Sequence, residues 1–110
     1  MSGTFVLQRS ADRQFYFNLR AENNEVILTS ERYLTKASAQ NGIQAVRNNA
    51  PTDARYSRRT SPDSRHYFVL LAANGEPLGT SEIYSSSRAM EAGIQAVKRN
   101  APTATVLDRT

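Results

Sequence analysis

The chain has 110 residues, 39% of them hydrophobic, with one histidine, no cysteine and a formal net charge of +4. That length bounds it to one domain, 1–110, and the missing thiols exclude disulfides, thiolate catalysis and thiolate metal sites. The mild basic excess permits an acidic partner without specifying one; with no signal-peptide pattern after Met1-Ser2-Gly3-Thr4 and no membrane-length apolar run, a cytoplasmic protein without membrane attachment is expected.

Thr4–Gln8 alternates, with Phe5 and Leu7 on one side and Thr4, Val6 and Gln8 on the other, which is a strand pattern. Ser10–Arg13 reads as a turn. Phe15–Glu22 alternates again, followed by Asn23-Asn24 and then Glu25–Ser30. This predicts a hairpin closed by a two-residue primed turn, whose central residues both need positive φ. Glu22 then lies opposite Glu25. One face carries Phe17 opposite Ser30, Leu19 opposite Leu28 and Ala21 opposite Val26. The other carries Tyr16 opposite Glu31, Asn18 opposite Thr29 and Arg20 opposite Ile27. A slip of one residue would expose Phe17 and Leu19.

A helix follows, with Thr35 as N-cap. Its apolar stripe is Ala39, Gly42, Ile43 and Val46, at i, i+3, i+4, i+7 spacing. Glycine inside a helix costs about 1 kcal/mol against alanine. Gly42 therefore implies a close approach of helix and sheet. Asn49 is expected in the left-handed C-terminal position, with Pro51 as the stop.

Ala54–Thr60 is a further strand, and after it the pattern returns. Residues 61–103 repeat 10–52 at a constant offset of 51, with 21 of 43 positions identical, so the chain is a tandem duplication. The second hairpin turns at Asn74-Gly75, with Phe68, Leu70 and Ala72 inward and Tyr67, Val69, Leu71 and Leu78 outward. Pro77 belongs where its nitrogen faces away from the ladder. Ser86 caps the second helix, whose stripe is Met90, Gly93, Ile94 and Val97. Asn100 and Pro102 end it. Thr105–Arg109 closes the chain, with Leu107 in the place of Phe5 and Tyr56. Repeat one spans about 3–52, repeat two about 54–103, and the closing strand about 105–109.

Phe15-Tyr16-Phe17-Asn18-Leu19-Arg20-Ala21, the Asn-Gly turn, Thr-Ser-Glu-x-Tyr at 29–33 and 80–84, and the Gly-Ile-x-x-Val helix resemble the YegP-like family of bacterial proteins of unknown function. That resemblance implies an α+β fold of two β3-α-β units. They would build one antiparallel sheet, with both helices on one face and terminal strands exchanged between units. It implies no activity and no functional residues. Ala45 and Ala96 stand where the family often has serine, and Asn24 where it often has glycine.

Chemistry is harder to find. His66, the sole histidine, has no cysteine to join it in a zinc site. Glu31 and Glu82 recur in both copies, but each is expected to face a tyrosine across strands. Gly42 and Gly93 are isolated in helices, so no phosphate loop is present. Ser85-Ser86-Ser87 is a loop into a helix cap rather than a nucleophile motif. No metal or cofactor is expected, and no enzymatic activity.

Two surfaces remain. Arg55, Arg58, Arg59 and Arg65 make the densest basic stretch, although alternation divides Arg58 from Arg59. With Tyr16, Tyr67 and Arg20 they suggest a sheet that stacks bases and contacts phosphates. The second copy's outer face is more apolar, with Val69, Leu71 and Leu78, which suggests a protein partner. The reading adopted is a non-catalytic protein-interaction module, monomeric with weak self-association. The alternative is a sheet-based nucleic-acid binder.

Overall fold

A computed structural model describes residues 3–110. Its strands are β1 (Thr4–Arg9), β2 (Phe15–Arg20), β3 (Val26–Ser30), β4 (Tyr56–Thr60), β5 (His66–Leu71), β6 (Pro77–Thr80) and β7 (Thr105–Asp108). Helix α1 (Lys36–Asn49) precedes β4, and α2 (Ser87–Asn100) precedes β7.

Four tight turns of one design shape the sheet. In each, the first residue's N–H donates to the fifth carbonyl, and the fourth N–H donates back to the first carbonyl. The turns run Ser10 to Gln14, Ala21 to Glu25, Ser61 to Arg65 and Ala72 to Glu76. The fourth residue is left-handed in every case: Arg13 (φ 65°), Asn24 (69°), Ser64 (65°) and Gly75 (87°). This is the three-residue loop of a type I turn followed by one left-handed residue. It corrects the two-residue primed turn expected at Asn23-Asn24 and Asn74-Gly75. Asn23 and Asn74 stay at negative φ, and their side chains accept the N–H of Glu25 and Glu76.

The turn also shifts the register. Asn18 faces Thr29 and Leu19 faces Leu28 as expected, but Arg20 faces Val26. Ile27 becomes the extra residue of a bulge and turns inward, only 7% exposed. In the second copy Leu71 faces Pro77, and Leu78 turns into the core in the same way. Leu78 is therefore not on the outer face, because the bulge reverses the alternation at that point.

Beyond Ser30 the strand leaves the ladder. Tyr16 and Glu31 do not pair. Instead Ser30 Oγ accepts the Phe17 N–H (2.9 Å) and donates to the Glu31 carbonyl (2.8 Å), and Tyr33 rejoins Phe15 through two backbone bonds. Ser81, Phe68, Glu82, Tyr84 and His66 repeat the arrangement. The recurrent Thr-Ser-Glu-x-Tyr is thus a device that mends a broken ladder and sends its tyrosine toward a helix.

The tyrosine explains the glycine. A Cβ on Gly42 would lie 2.5 Å from Tyr33 Oη, and one on Gly93 would collide with Tyr84 Oη. The closest neighbour at each helix is thus a tyrosine hydroxyl. Thr35 and Ser86 cap their helices, each accepting a backbone N–H three residues on, at 3.1 Å. Asn49 and Asn100 are not left-handed. Both helices run on into right-handed Ala50 and Ala101, and each asparagine amide donates to the carbonyl four residues back at 2.8 Å.

The strands lie in the order β4-β5-β6-β3-β2-β1-β7. Every neighbouring pair is antiparallel except β1 and β7, which run parallel, so the sheet is mixed. β3 and β6 join the two repeats, and β7 of the second repeat flanks β1 of the first. Phe5, Leu7, Phe17, Leu19, Tyr56, Phe68 and Leu70 form one buried cluster with Ile43, Val46, Ile94 and Val97, so both helices cover the same face. Leu107 does not take the place of Phe5. All of β7 is exposed, Leu107 by 43%.

Candidate functional site

The helix-free face carries Tyr16, Asn18 and Arg20 from β2, Tyr67, Val69 and Leu71 from β5, Ser57 and Arg59 from β4, and Leu107 beside Val6. Val69 is only 4% exposed and lies beneath its neighbours, while Tyr16, Arg20, Tyr67 and Leu71 are half-buried. The arginines lie along the sheet. Arg20 Nε donates to Asn18 Oδ1 (3.2 Å) and Arg59 Nε to Ser57 Oγ (3.1 Å). The Arg32 guanidinium sits 4.7 Å from the Tyr16 ring centre, a cation–π contact. Sequence reading did not anticipate this partner, because Arg32 lies in the segment that leaves the ladder.

The basic stretch does not form one surface. Arg58 turns to the helix side, donating to Glu91 at 2.5 and 3.0 Å and to Asp53 at 3.1 Å. Lys98 Nζ also reaches Asp53 at 2.8 Å and lies over the Tyr56 ring. Arg65 pairs with Asp63 at 2.8 Å, and Arg55 Nε donates to Asn49 Oδ1 at 3.0 Å. Four of the residues gathered by sequence are thereby separated, and two are already ion-paired. Tyr56 seals the edge below, with its hydroxyl donating to the Ala50 carbonyl at 2.7 Å.

The Arg58 network leaves a signature in acid. Lys98 first, and then Arg58, hold the Asp53 carboxyl below its ordinary value; Arg58 does the same for Glu91. Carboxylates depressed in the folded state contribute stability above the unfolded value of about 4, and lose it as pH falls through the lower folded value. Melting temperatures measured from pH 6 to pH 2 should therefore fall more in the wild type than in Arg58→Ala. Parallel curves would show that the network contributes nothing.

A cleft of about 450 Å³ opens between the repeats, lined by Glu31, Tyr33, Asn41, Gly42, Glu76 and Pro77 among others. Burial, and then Glu31, push the Tyr33 phenol upward. A second hollow of about 320 Å³ lies between α1 and Val106. Among the described residues no group of three or more His, Asp or Glu side chains is placed to hold a metal ion. No helix among them is long and apolar enough to cross a membrane.

Comparison with known proteins agrees with this architecture. Residues 10–57 and 62–108 each match the family described as Domain of unknown function (DUF1508). The chain is 54% identical over 110 residues to a UPF0339 protein of Bordetella pertussis, covering 100% of this chain and 98% of the relative. It is 46% identical to the UPF0339 protein YegP of Escherichia coli K12, covering all of both chains. The solution NMR structure of yegP from E. coli, a protein of unknown function, superposes with a TM-score of 0.95 at 45% identity, over 100% of this chain and 95% of that one. The NMR structure of a UPF0339 protein from Shewanella oneidensis gives 0.92 at 46% identity, over 98% and 92%.

Proposed function

The chain belongs to the YegP-like family of tandem DUF1508 repeats, and on that footing we propose that it is a non-catalytic module that binds another protein through the helix-free face of its sheet. The observation that carries this reading is that Tyr16, Tyr67 and Leu71 sit part-exposed on a face over which the described residues place no second layer. Amphipathic rings of this kind are favoured at protein interfaces. A catalytic reading needs complementary groups within hydrogen-bond reach. His66 has no carboxylate partner among the described residues. Nucleic acid is disfavoured on the same face. Arg32 already occupies Tyr16, Arg58 and Arg65 are ion-paired, and Glu31 and Glu82 are exposed in the loops beside the tyrosines.

A photo-crosslinking residue at position 71, compared with one at exposed Arg88 on α2, tests this in bacterial cells expressing the chain. Discrete protein adducts from position 71 and none from position 88 are expected. Nucleic-acid adducts from position 71, or the same adducts from both positions, would overturn the reading.

A further inference from the structure

One side chain of the recurrent motif has no structural use. In Thr29-Ser30-Glu31-x-Tyr33 the serine mends the ladder and the tyrosine seats on α1, but Glu31 lends only its backbone carbonyl, to Ser30. Its carboxylate makes no hydrogen bond or ion pair among the described residues. It borders the cleft of about 450 Å³ on the helix side of the sheet, a volume that suits a small molecule. Glu76, from the turn before β6, borders the same cleft, and its carboxylate is unpaired among the described residues too. So are the Asn41 amide on α1 and the Tyr33 hydroxyl, which burial, and then Glu31, keep protonated. Pro77 and Leu78 add an apolar wall. Arg32 also borders the cleft, but its guanidinium stands over Tyr16 on the opposite face. The charges left at the cleft are therefore negative, in a chain whose net charge is +4.

The second repeat keeps the frame and drops part of the polar wall. Glu82, Tyr84 and Glu25 are the counterparts of Glu31, Tyr33 and Glu76, but Ala89 and Ala92 stand where Ser38 and Asn41 do. Folding of the unit thus needs no amide at position 41. Two unused carboxylates, a phenol and an amide around an open volume are groups available to a ligand.

We propose that this cleft binds a small organic cation: an ammonium on a short carbon chain that carries a second polar group. Glu31 and Glu76 take the ammonium through charge-assisted hydrogen bonds, Pro77 and Leu78 take the carbon chain, and Asn41 takes the second polar group. A free diamine and the side chain of a protein lysine share this chemistry. The site lies on the helix side and stands whether or not the open face of the sheet binds.

Two probes separate those sources: butane-1,4-diamine, and lysine blocked at both ends as N-acetyl-lysine methylamide. Each is added up to millimolar concentration to the ¹⁵N-labelled full-length protein, at an ionic strength of about 0.15 M so that distant charges are screened. Saturable shifts are expected at the amides of Glu31–Tyr33, Asn41, Gly42 and Glu76, and none with butane-1,4-diol. Tighter binding of the diamine would identify a free amine as the ligand, and tighter binding of blocked lysine a protein side chain. Glu31→Gln and Asn41→Ala should each weaken binding by about tenfold. Asn41→Ala copies the residue at Ala92, so it should leave the fold intact. The absence of saturable shifts with both probes would overturn the proposal. So would undiminished affinity in Glu31→Gln, or equal affinity at Glu82–Tyr84 in the second repeat.

Discussion

Phe68→Ala should cost the protein about 3–5 kcal/mol, and Phe17→Ala nearly the same. Both rings are fully buried. Phe17 meets Phe5 edge-on (5.8 Å between centres, 75°) and stacks on Tyr33 (6.3 Å, 9°). Phe68 meets Tyr56 edge-on (5.7 Å, 62°) and stacks on Tyr84 (6.5 Å, 9°). Removing either ring loses its transfer free energy and leaves a cavity between sheet and helix. At about 4 °C per kcal/mol the melting temperature drops by roughly 12–20 °C. Because α1 reaches β5 and β6 while α2 reaches β3, each variant should still unfold in one step. Urea titrations with unchanged m and a lowered midpoint would show this. A biphasic curve, or a cost under about 1 kcal/mol at either site, would mean that the repeats do not share one core.

The parts of this fold that sequence makes legible are those set by local period. Phe17, Leu19, Phe68 and Leu70 alternate with polar neighbours, and Ile43, Val46, Ile94 and Val97 repeat at helical spacing, so faces follow directly. What escapes is whatever breaks the period. The bulge opposite Arg20 and Leu71 inserts one residue, which turns Ile27 and Leu78 inward and defeats a strict count of two. A single left-handed residue and a primed turn both favour Asn and Gly, so Asn74-Gly75 does not separate them; Arg13 and Ser64 adopt the same turn without either. Strand direction leaves no mark on composition, so the parallel β7 could not be read. The candidate basic surface dissolved for a different reason. Glu91 lies 33 positions from Arg58 and meets it only after α2 has docked. Function stayed illegible because the most insistent motif, Thr-Ser-Glu-x-Tyr, is used up in holding strand to strand and helix to sheet.

The structural use of this motif has a measurable consequence at Ser81. Its Oγ accepts the Phe68 N–H at 2.9 Å and donates to the Glu82 carbonyl at 2.7 Å, while only 9% of the residue is exposed. Ser81→Ala leaves the Phe68 N–H facing inward with no partner. An orphaned buried donor costs about 1–3 kcal/mol, more than the net worth of the bond itself. Ser30 does the same for Phe17, at 2.9 Å, and shares no hydrogen-bond partner with Ser81. The double alanine variant should therefore lose about the sum of the two single costs, roughly 2–6 kcal/mol. Amide exchange at Phe68 should quicken by about 5- to 150-fold in Ser81→Ala, the equivalent of 1–3 kcal/mol. The loss has a second effect, because the segment after Ser81 carries Tyr84 to its seat against Gly93. If the serine is there for folding, stability and Phe68 protection fall together. If both stay at wild-type values, the motif recurs for another reason, and the search for a ligand moves to the cleft beside Tyr33.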